Sequence, residues 1–491
     1  MNCTLFFNVL LWCNLLQLCM AEISEGPSSV PSQDPSASPS LSPSEKPSSL
    51  PSSSKDNTFI PEVMDTKFNR RVMGSVMMPE GSPWCGGKPS LWFTGHFAPN
   101  ESGEYMFCEN SPGLFNATFA ALPSIDRHGC TSFDVNKDGI MDLICTRGAM
   151  KGTGTESNNE VFLTQPNGNL EQICNHGLES PTRRSEDFIA FKSGTGDDLV
   201  FEQVRSNARV DGLPNNNQLY KWVPKRLSGK YFVPIRGPWD EEEFKPLEVQ
   251  IFDFDGDGKL DIFIHAMKLS RPQKYKNVIR IYLQRKNNRF FRVGADSNLN
   301  LKHLQIAKAA DLNNDGLPDI IGYHDETKQF LVLWNDSKTS DKAVHFTWSD
   351  QDLKGYNQTQ GTDSYVGGIA ILDVNGDGQM DIFATQSRNE VDEYCYKRMK
   401  GGYPAVSRKF GFNRFNWQEV ANYEPPSDPI ADILFIGEST GDTYPSFMAH
   451  TLNLDLHGCA GKHMFPFGEK RLAISHSLIE YPGRIYVLDW S

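Results

Sequence analysis

Four short stretches of this chain have the residue types and spacing to hold a metal ion. Each runs aspartate, spacer, Asp or Asn, spacer, aspartate-glycine, two spacers, aspartate, then an apolar run. The copies start at Asp134 (DVNKDGIMDLI), Asp253 (DFDGDGKLDIF), Asp311 (DLNNDGLPDII) and Asp373 (DVNGDGQMDIF). With that first aspartate as position 1, side-chain oxygens at positions 1, 3 and 5 converge on one point when a glycine at 6 allows a sharp turn. A backbone carbonyl at 7 and a carboxylate at 9 complete a shell of about six or seven oxygens, the environment Ca²⁺ prefers. No His or Cys lies inside to suit zinc or copper. The candidate ligands are Asp134, Asn136, Asp138, the Ile140 carbonyl and Asp142 in the first loop, and Asp253, Asp255, Asp257, the Lys259 carbonyl and Asp261 in the second. The third offers Asp311, Asn313, Asp315, the Leu317 carbonyl and Asp319; the fourth offers Asp373, Asn375, Asp377, the Gln379 carbonyl and Asp381.

Such loops need elements to hold them, and the flanking residues say which. An EF-hand requires a bidentate Glu at position 12 and a helix on each side. Position 12 here is Cys145, Ile264, Gly322 or Ala384. The segments that follow (LIC, IFIH, IIGY, IFAT) and the lead-ins VQIF and IAIL are rich in β-branched and aromatic residues, so each loop is expected to join two strands. An acidic, solvated turn without metal is the rival, and repetition in one registry weighs against it. The four loops hold thirteen aspartates, equal in size to the formal net charge of −13. Carboxylates clustered so densely repel unless cations neutralise them.

Repetition on this scale implies stacked units, none of which buries its apolar face alone. Asp253 to Asp311 is 58 residues, Asp311 to Asp373 is 62, and Asp134 to Asp253 is 119, two periods with one copy missing. Decayed copies are expected at 188–203 (FIAFKSGTGDDLVFEQ), at 428–437 (DPIADILFIG) and at 91–110 (LWFTGHFAPNESGEYMFCEN), where His96 stands near the first ligand position. That makes seven units over the 433 residues from Phe59, about 62 each. Strand-rich units of this length suit four-stranded propeller blades. The expected fold is all-β, a seven-bladed β-propeller with calcium-binding hairpin loops, preceded by a disordered Pro/Ser linker. Six or eight blades remain open.

The strand–DxDxDG–D–strand units resemble the FG-GAP/VCBS repeats of the integrin alpha-subunit head and of cartilage acidic protein. NEVFLTQPNGNLEQI (159–173) and NNQLYKWVPKRLSGKYFVPI (216–235) resemble the strand pair that follows the loop in that family. The resemblance spans most of the chain after about residue 90 and implies a propeller whose Ca²⁺ loops, about four, rigidify the rim of individual blades. It transfers no ligand.

Residues 1–21 hold an apolar run, Leu5 to Leu18, ending near Ala21. That length suits a secretory leader better than a membrane span. The positive n-region is missing, and an uncleaved anchor is the alternative. Residues 22–58 follow as a linker with proline at every fourth position from Pro27 to Pro51. Such a tract buries no core and is expected to extend, reaching at most about 90 Å over its seven tetrads. An O-glycosylated stalk and a plain linker fit it equally. The propeller is assigned to 59–491. Removing the leader leaves Cys85, Cys108, Cys130, Cys145, Cys174, Cys395 and Cys459. Cys130 and Cys145 flank the first loop and are expected to pair; Cys85 with Cys108 is a second expected pair. Sequons at Asn100, Asn116, Asn335 and Asn357 fit surface glycosylation.

No GxSxG, HExxH, P-loop or Rossmann fingerprint is present. His450, His457, His463 and His476 read as structural, and Asp240 to Glu243 as a solvated loop. Acidic balance argues against nucleic acid, and no later segment is apolar enough to span a bilayer. The expected function is a secreted calcium-binding propeller that serves as an extracellular interaction or adhesion scaffold for a protein or glycan, matrix- or wall-associated. A carbohydrate-active enzyme on the same propeller is the alternative.

Overall fold

The chain divides into two units, Met1–Thr58 and Phe59–Ser491. The structure, a computed structural model, describes residues 60–65, 72–95, 105–111, 114–119, 127–147, 159–179, 185–204, 217–224, 229–241, 245–270, 274–293, 304–324, 327, 329–337, 344–349, 353–354, 364–388, 432–439, 444–452, 454, 463–467, 470–475 and 485–490. The leader, the linker, Cys395, Cys459 and His96 lie outside them.

Alternating apolar residues between turn-forming loops yield strands, and these pair into seven sheets. Strand β1 (Glu62–Asp65) precedes the first hairpins. The next sheet is β2 (Val72–Met78), β3 (Ser90–Gly95), β4 (Tyr105–Ser111) and β5 (Leu114–Phe119) in order. The first aspartate loop lies in the sheet β6 (Cys130–Phe133), β7 (Asp142–Cys145), β8 (Glu160–Thr164) and β9 (Leu170–Ile173). Then come β10 (Ser185–Lys192), β11 (Asp198–Val204), β12 (Gln218–Trp222) and β13 (Phe232–Ile235). The second loop joins the first two strands of the sheet β14 (Lys245–Phe252), β15 (Asp261–Ser270), β16 (Lys274–Arg285) and β17 (Arg289–Arg292). The third does so for β18 (Leu304–Ala310), β19 (Asp319–His324), β20 (Gln329–Asn335) and β21 (Phe346–Ser349).

After these, β22 (Leu353–Lys354) adds parallel to the far edge of β23 (Ser364–Leu372), β24 (Asp381–Arg388), β25 (Asp432–Glu438) and β26 (Ser446–Leu452). The last sheet is β27 (His463–Phe467), β28 (Arg471–Ser475) and β29 (Ile485–Asp489), with β1 antiparallel on its outer edge. Six sheets thus have the expected four strands; the one that carries the fourth loop has five, a departure from uniform four-stranded blades. Helical structure among the described residues is limited to 3-10 turns at Cys85–Gly87, Pro238–Glu241 and Lys286–Asn288.

The arrangement is that of a β-propeller. The first strands touch in the order β2, β6, β10, β14, β18, β23, β27 and back to β2. Apolar side chains fill the space between successive sheets. Val135, Ile144 and Val161 meet Phe188, Val200 and Phe232 at one junction. Ile321, Val332 and Trp334 meet Ile369, Ile382 and Phe435 at another. The last sheet reaches the first through Phe465 and Phe93, whose rings lie 6.0 Å apart.

Two decayed copies are in a different place from that expected. Ile433 to Phe435 of β25 pair with Ile382 to Ala384 of β24, so 432–437 is the third strand of the fourth-loop sheet rather than the start of another unit. Likewise β3 and β4, which 91–110 covers but for one residue at each outer end, are second and third strands, and the turn equivalent to an aspartate loop is 79–89. An apolar strand pattern is the same for every strand of a blade, so without carboxylates it cannot fix strand position. The copy at 188–203 is the expected hairpin β10–β11.

Candidate metal centre

All four loops use one hydrogen-bond scheme. The position-1 carboxylate accepts the amides of positions 5 and 6: Asp138 N to Asp134 Oδ1 (3.1 Å) and Gly139 N to Asp134 Oδ2 (3.0 Å) in the first. Asp253, Asp311 and Asp373 do the same for Asp257 and Gly258, Asp315 and Gly316, and Asp377 and Gly378. The amide of position 7 donates to the position-5 carboxylate, at 2.8 Å for Ile140, 3.0 Å for Lys259, 2.8 Å for Leu317 and 2.7 Å for Gln379. This winding needs left-handed backbone at positions 4 and 6. Position 6 is always glycine (φ +80° at Gly258), whereas position 4 is Lys137, Gly256, Asn314 or Gly376.

Position 9 does something the sequence reading did not assign to it. Asp142 Oδ2 accepts Val135 N (2.8 Å) and its Oδ1 accepts Thr164 N of β8 (2.7 Å). Asp261 holds Phe254 N and Gln284 N, Asp319 holds Leu312 N and Asn335 N, and Asp381 holds Val374 N and Gly437 N. Each is fully buried and ties its loop to the third strand of its own sheet. Burial, the largest influence, pushes these carboxyls up: Asp142 to about 6, Asp261 to about 8, Asp319 and Asp381 to about 7. Burial, with neighbouring carboxylates adding to it, also raises Asp253.

Position 2 is a second contribution that spacing alone did not reveal. Its carbonyl accepts a side-chain N–H from the next sheet: Trp222 Nε1 to Val135 O (2.9 Å), Asn335 Nδ2 to Phe254 O (3.0 Å), and Gln379 Nε2 to Leu312 O. Each of these loops is therefore a staple between sheets. Asn335 is buried, with Nδ2 also on Pro318 O (3.1 Å) and Oδ1 accepting Ser337. The surface-glycan expectation at this sequon is overturned, because its amide is committed inside the fold.

The second loop brings three carboxylates together. Oxygens of Asp253, Asp255 and Asp261 lie within 4.8 Å of one another, the one such carboxylate, His or Cys group found among the described residues. Asp255 is 3% exposed and its Oδ1 has no hydrogen-bond partner. A buried carboxylate with one oxygen unpartnered, grouped with two further carboxylates, is a costly arrangement unless a cation completes it. With an all-oxygen donor set, these residues fit Ca²⁺. In the other loops an asparagine stands at position 3, and its Oδ1 accepts the position-5 amide, as Asn136 does for Asp138 (3.1 Å).

Two turns at equivalent places are built without this chemistry. The turn Ser193–Asp197 is held by protein groups: Lys221 Nζ meets Asp197 Oδ1 (2.8 Å), and Asn288 Nδ2 of the next sheet meets Oδ2 (2.7 Å). Those contacts hold the Asp197 carboxyl below its ordinary range, Lys221 first among them. In the turn 79–89 a disulfide, Cys85–Cys108, does the holding, and Trp84 Nε1 reaches Gly168 O of the next sheet (2.9 Å). The other expected disulfide, Cys130–Cys145, joins partners directly opposite in the β6–β7 ladder that supports the first loop. His450 is half-buried on β26 and His463 opens β27, while His457 and His476 fall outside the described residues.

Residues 253–322 match the model of the FG-GAP-like repeat, a stretch that holds the second and third loops. No curated protein matches the chain. Among solved structures, BBS1N in complex with ARL6DN, soaked with lead, is 8% identical over 87% of this chain and 97% of that one, with a TM-score of 0.41. A humanized mutant of the Chaetomium thermophilum Polycomb Repressive Complex 2 is 10% identical over 88% and 97%, at 0.43. A protein of unknown function from Dyadobacter fermentans is 12% identical over 88% and 100%, at 0.38. These likenesses are too remote to inform function.

Proposed function

We propose that this FG-GAP repeat β-propeller is a secreted, calcium-stabilised interaction scaffold, a seven-bladed ring that presents its surface to an extracellular protein or glycan. The observation that carries the reading is the second loop, where three carboxylates converge and the buried Asp255 Oδ1 lacks a partner. Bound Ca²⁺ would supply the positive charge such a cluster needs. The chain's own residues do the remaining work. Position 1 winds the loop, position 9 fastens it to the third strand, and the position-2 carbonyl takes a side chain from the next sheet. Stiffening a loop therefore stiffens the junction between two sheets. The first, third and fourth loops share the winding scheme, giving about four sites.

The apolar leader, the Pro/Ser tract and two disulfides support an extracellular setting. No helix among the described residues is long and apolar enough to cross a membrane. The carbohydrate-active enzyme alternative has no observation in its favour among the described residues.

Elemental analysis of purified protein is expected to find calcium, and EDTA is expected to lower the melting temperature. Asp257→Ala should lower it more in Ca²⁺ than in EDTA, where only the contacts with Lys259 and Arg285 are lost, because a ligand that binds only the folded state stabilises by mass action. An unchanged melt in EDTA at low salt, with no calcium in the protein, overturns the reading. On a glycan array and in capture from extracellular fluid, retention without turnover is the expected result; cleaved glycan would favour the enzyme.

A further inference from the structure

The second loop differs from the other three at position 3. There, asparagine amides bridge to the position-5 carboxylate: Asn136 Nδ2 to Asp138 Oδ2 (2.8 Å), Asn313 to Asp315 (2.9 Å) and Asn375 to Asp377 (2.9 Å). Asp255 has no N–H to give. Its missing donor is replaced from another strand. Arg285, the last residue of β16, places Nη1 between Asp255 Oδ2 (2.8 Å) and Asp257 Oδ2 (3.4 Å). Lys259 Nζ meets the same Asp257 oxygen at 2.5 Å. The Asp255 side chain is 4% exposed and that of Arg285 27%, so solvent screens this ion pair only in part.

We propose that Arg285, assisted by Lys259, is a resident counter-cation of the second loop that a divalent ion must displace in order to bind. The inference rests on the calcium reading above and deepens it. Four carboxylates would make this the tightest of the four loops, since ligand charge raises affinity. The guanidinium opposes that gain in two ways. It holds Asp255 and Asp257 in the ion's absence, and it repels the incoming ion across a few ångströms. The second loop is thus held together at low Ca²⁺, and its occupancy responds to concentrations that already fill the others. The asparagine loops have no such competitor among the contacts seen.

Calcium titration calorimetry on the full chain tests this. Arg285→Met keeps an unbranched apolar stem and removes the charged head, and should tighten one site on the order of tenfold while the remaining sites hold their affinity. The gain should vanish in an Asp253→Ala background, which locates it in this loop. In EDTA the same variant should melt lower than the parent, since Asp255 then loses its partner. Lys259→Met removes the second cation and should tighten the same site by less, and it keeps the test available if Arg285→Met does not fold. Affinity unchanged or weakened in both variants, with calcium still bound, overturns the counter-cation role and leaves the scaffold reading standing. A parent protein that binds no calcium overturns both.

Discussion

At position 9 of each loop a carboxylate receives one backbone N–H on each oxygen, and asparagine could accept only one. Asp319→Asn would turn an amide NH₂ toward either Leu312 N or Asn335 N, leaving a buried donor facing a donor. The expected cost is about 1–3 kcal/mol, read from urea unfolding. Spacing alone marked position 9 as a ligand but could not show that it also anchors the backbone, because its partner on the third strand is not local in sequence. The position-2 staples were invisible for a related reason: Trp222 is 87 residues from Val135, and no local pattern signals that contact. Asp432, at the start of β25, gives a pH prediction away from the loops. Burial pushes its carboxyl from 3.8 to about 8, and its backbone bond from Gln386 N offsets little of that. A raised folded value means stability fully present below the unfolded pKa and lost as pH rises through about 8. Asp432→Asn keeps an acceptor for Gln386 N, so its thermal stability should fall less than the parent's between about pH 5 and pH 9.

Strand pairs made the loops legible, since aspartates at fixed intervals followed by β-branched residues leave little choice but a hairpin. Units that lost their carboxylates were legible only as strands, and two were placed one strand out of position. What holds their turns could be recognised only in three dimensions: Lys221 and Asn288 around Asp197, and a disulfide at Cys85. The first loop has both devices, a carboxylate cluster and the Cys130–Cys145 bridge across its supporting hairpin. A bridge of sequence separation 15 restricts the unfolded chain by about 3 kcal/mol. Replacing both cysteines with alanine should remove about that much from the unfolding free energy in urea, with or without Ca²⁺. A loss seen only in EDTA would mean that the bridge and the ion perform the same task.

For the whole molecule the decisive pairing is between its two ends. Strand β1 lies antiparallel on β29, from Glu62 opposite Asp489 to Asp65 opposite Tyr486, and so completes the last sheet with residues from the beginning of the propeller unit. Sequence repetition pointed to a ring but could not show which strand closes it, because β1 has no repeat partner next to it in the chain. Without β1, the edge of β29 would expose backbone N–H and C=O groups beside Tyr486, Val487 and Leu488, all now buried. Open apolar edges invite pairing between molecules. A chain that starts at Val72 should therefore melt on the order of 5 °C lower than one that starts at Phe59 and should aggregate with rising concentration. A synthetic peptide of residues 60–66 added in trans should recover part of the loss, as light scattering and thermal melts would show. Equal melting of the two chains would mean that the closing strand is decoration, and that contacts such as Phe93 with Phe465 hold the last sheet to the first by themselves.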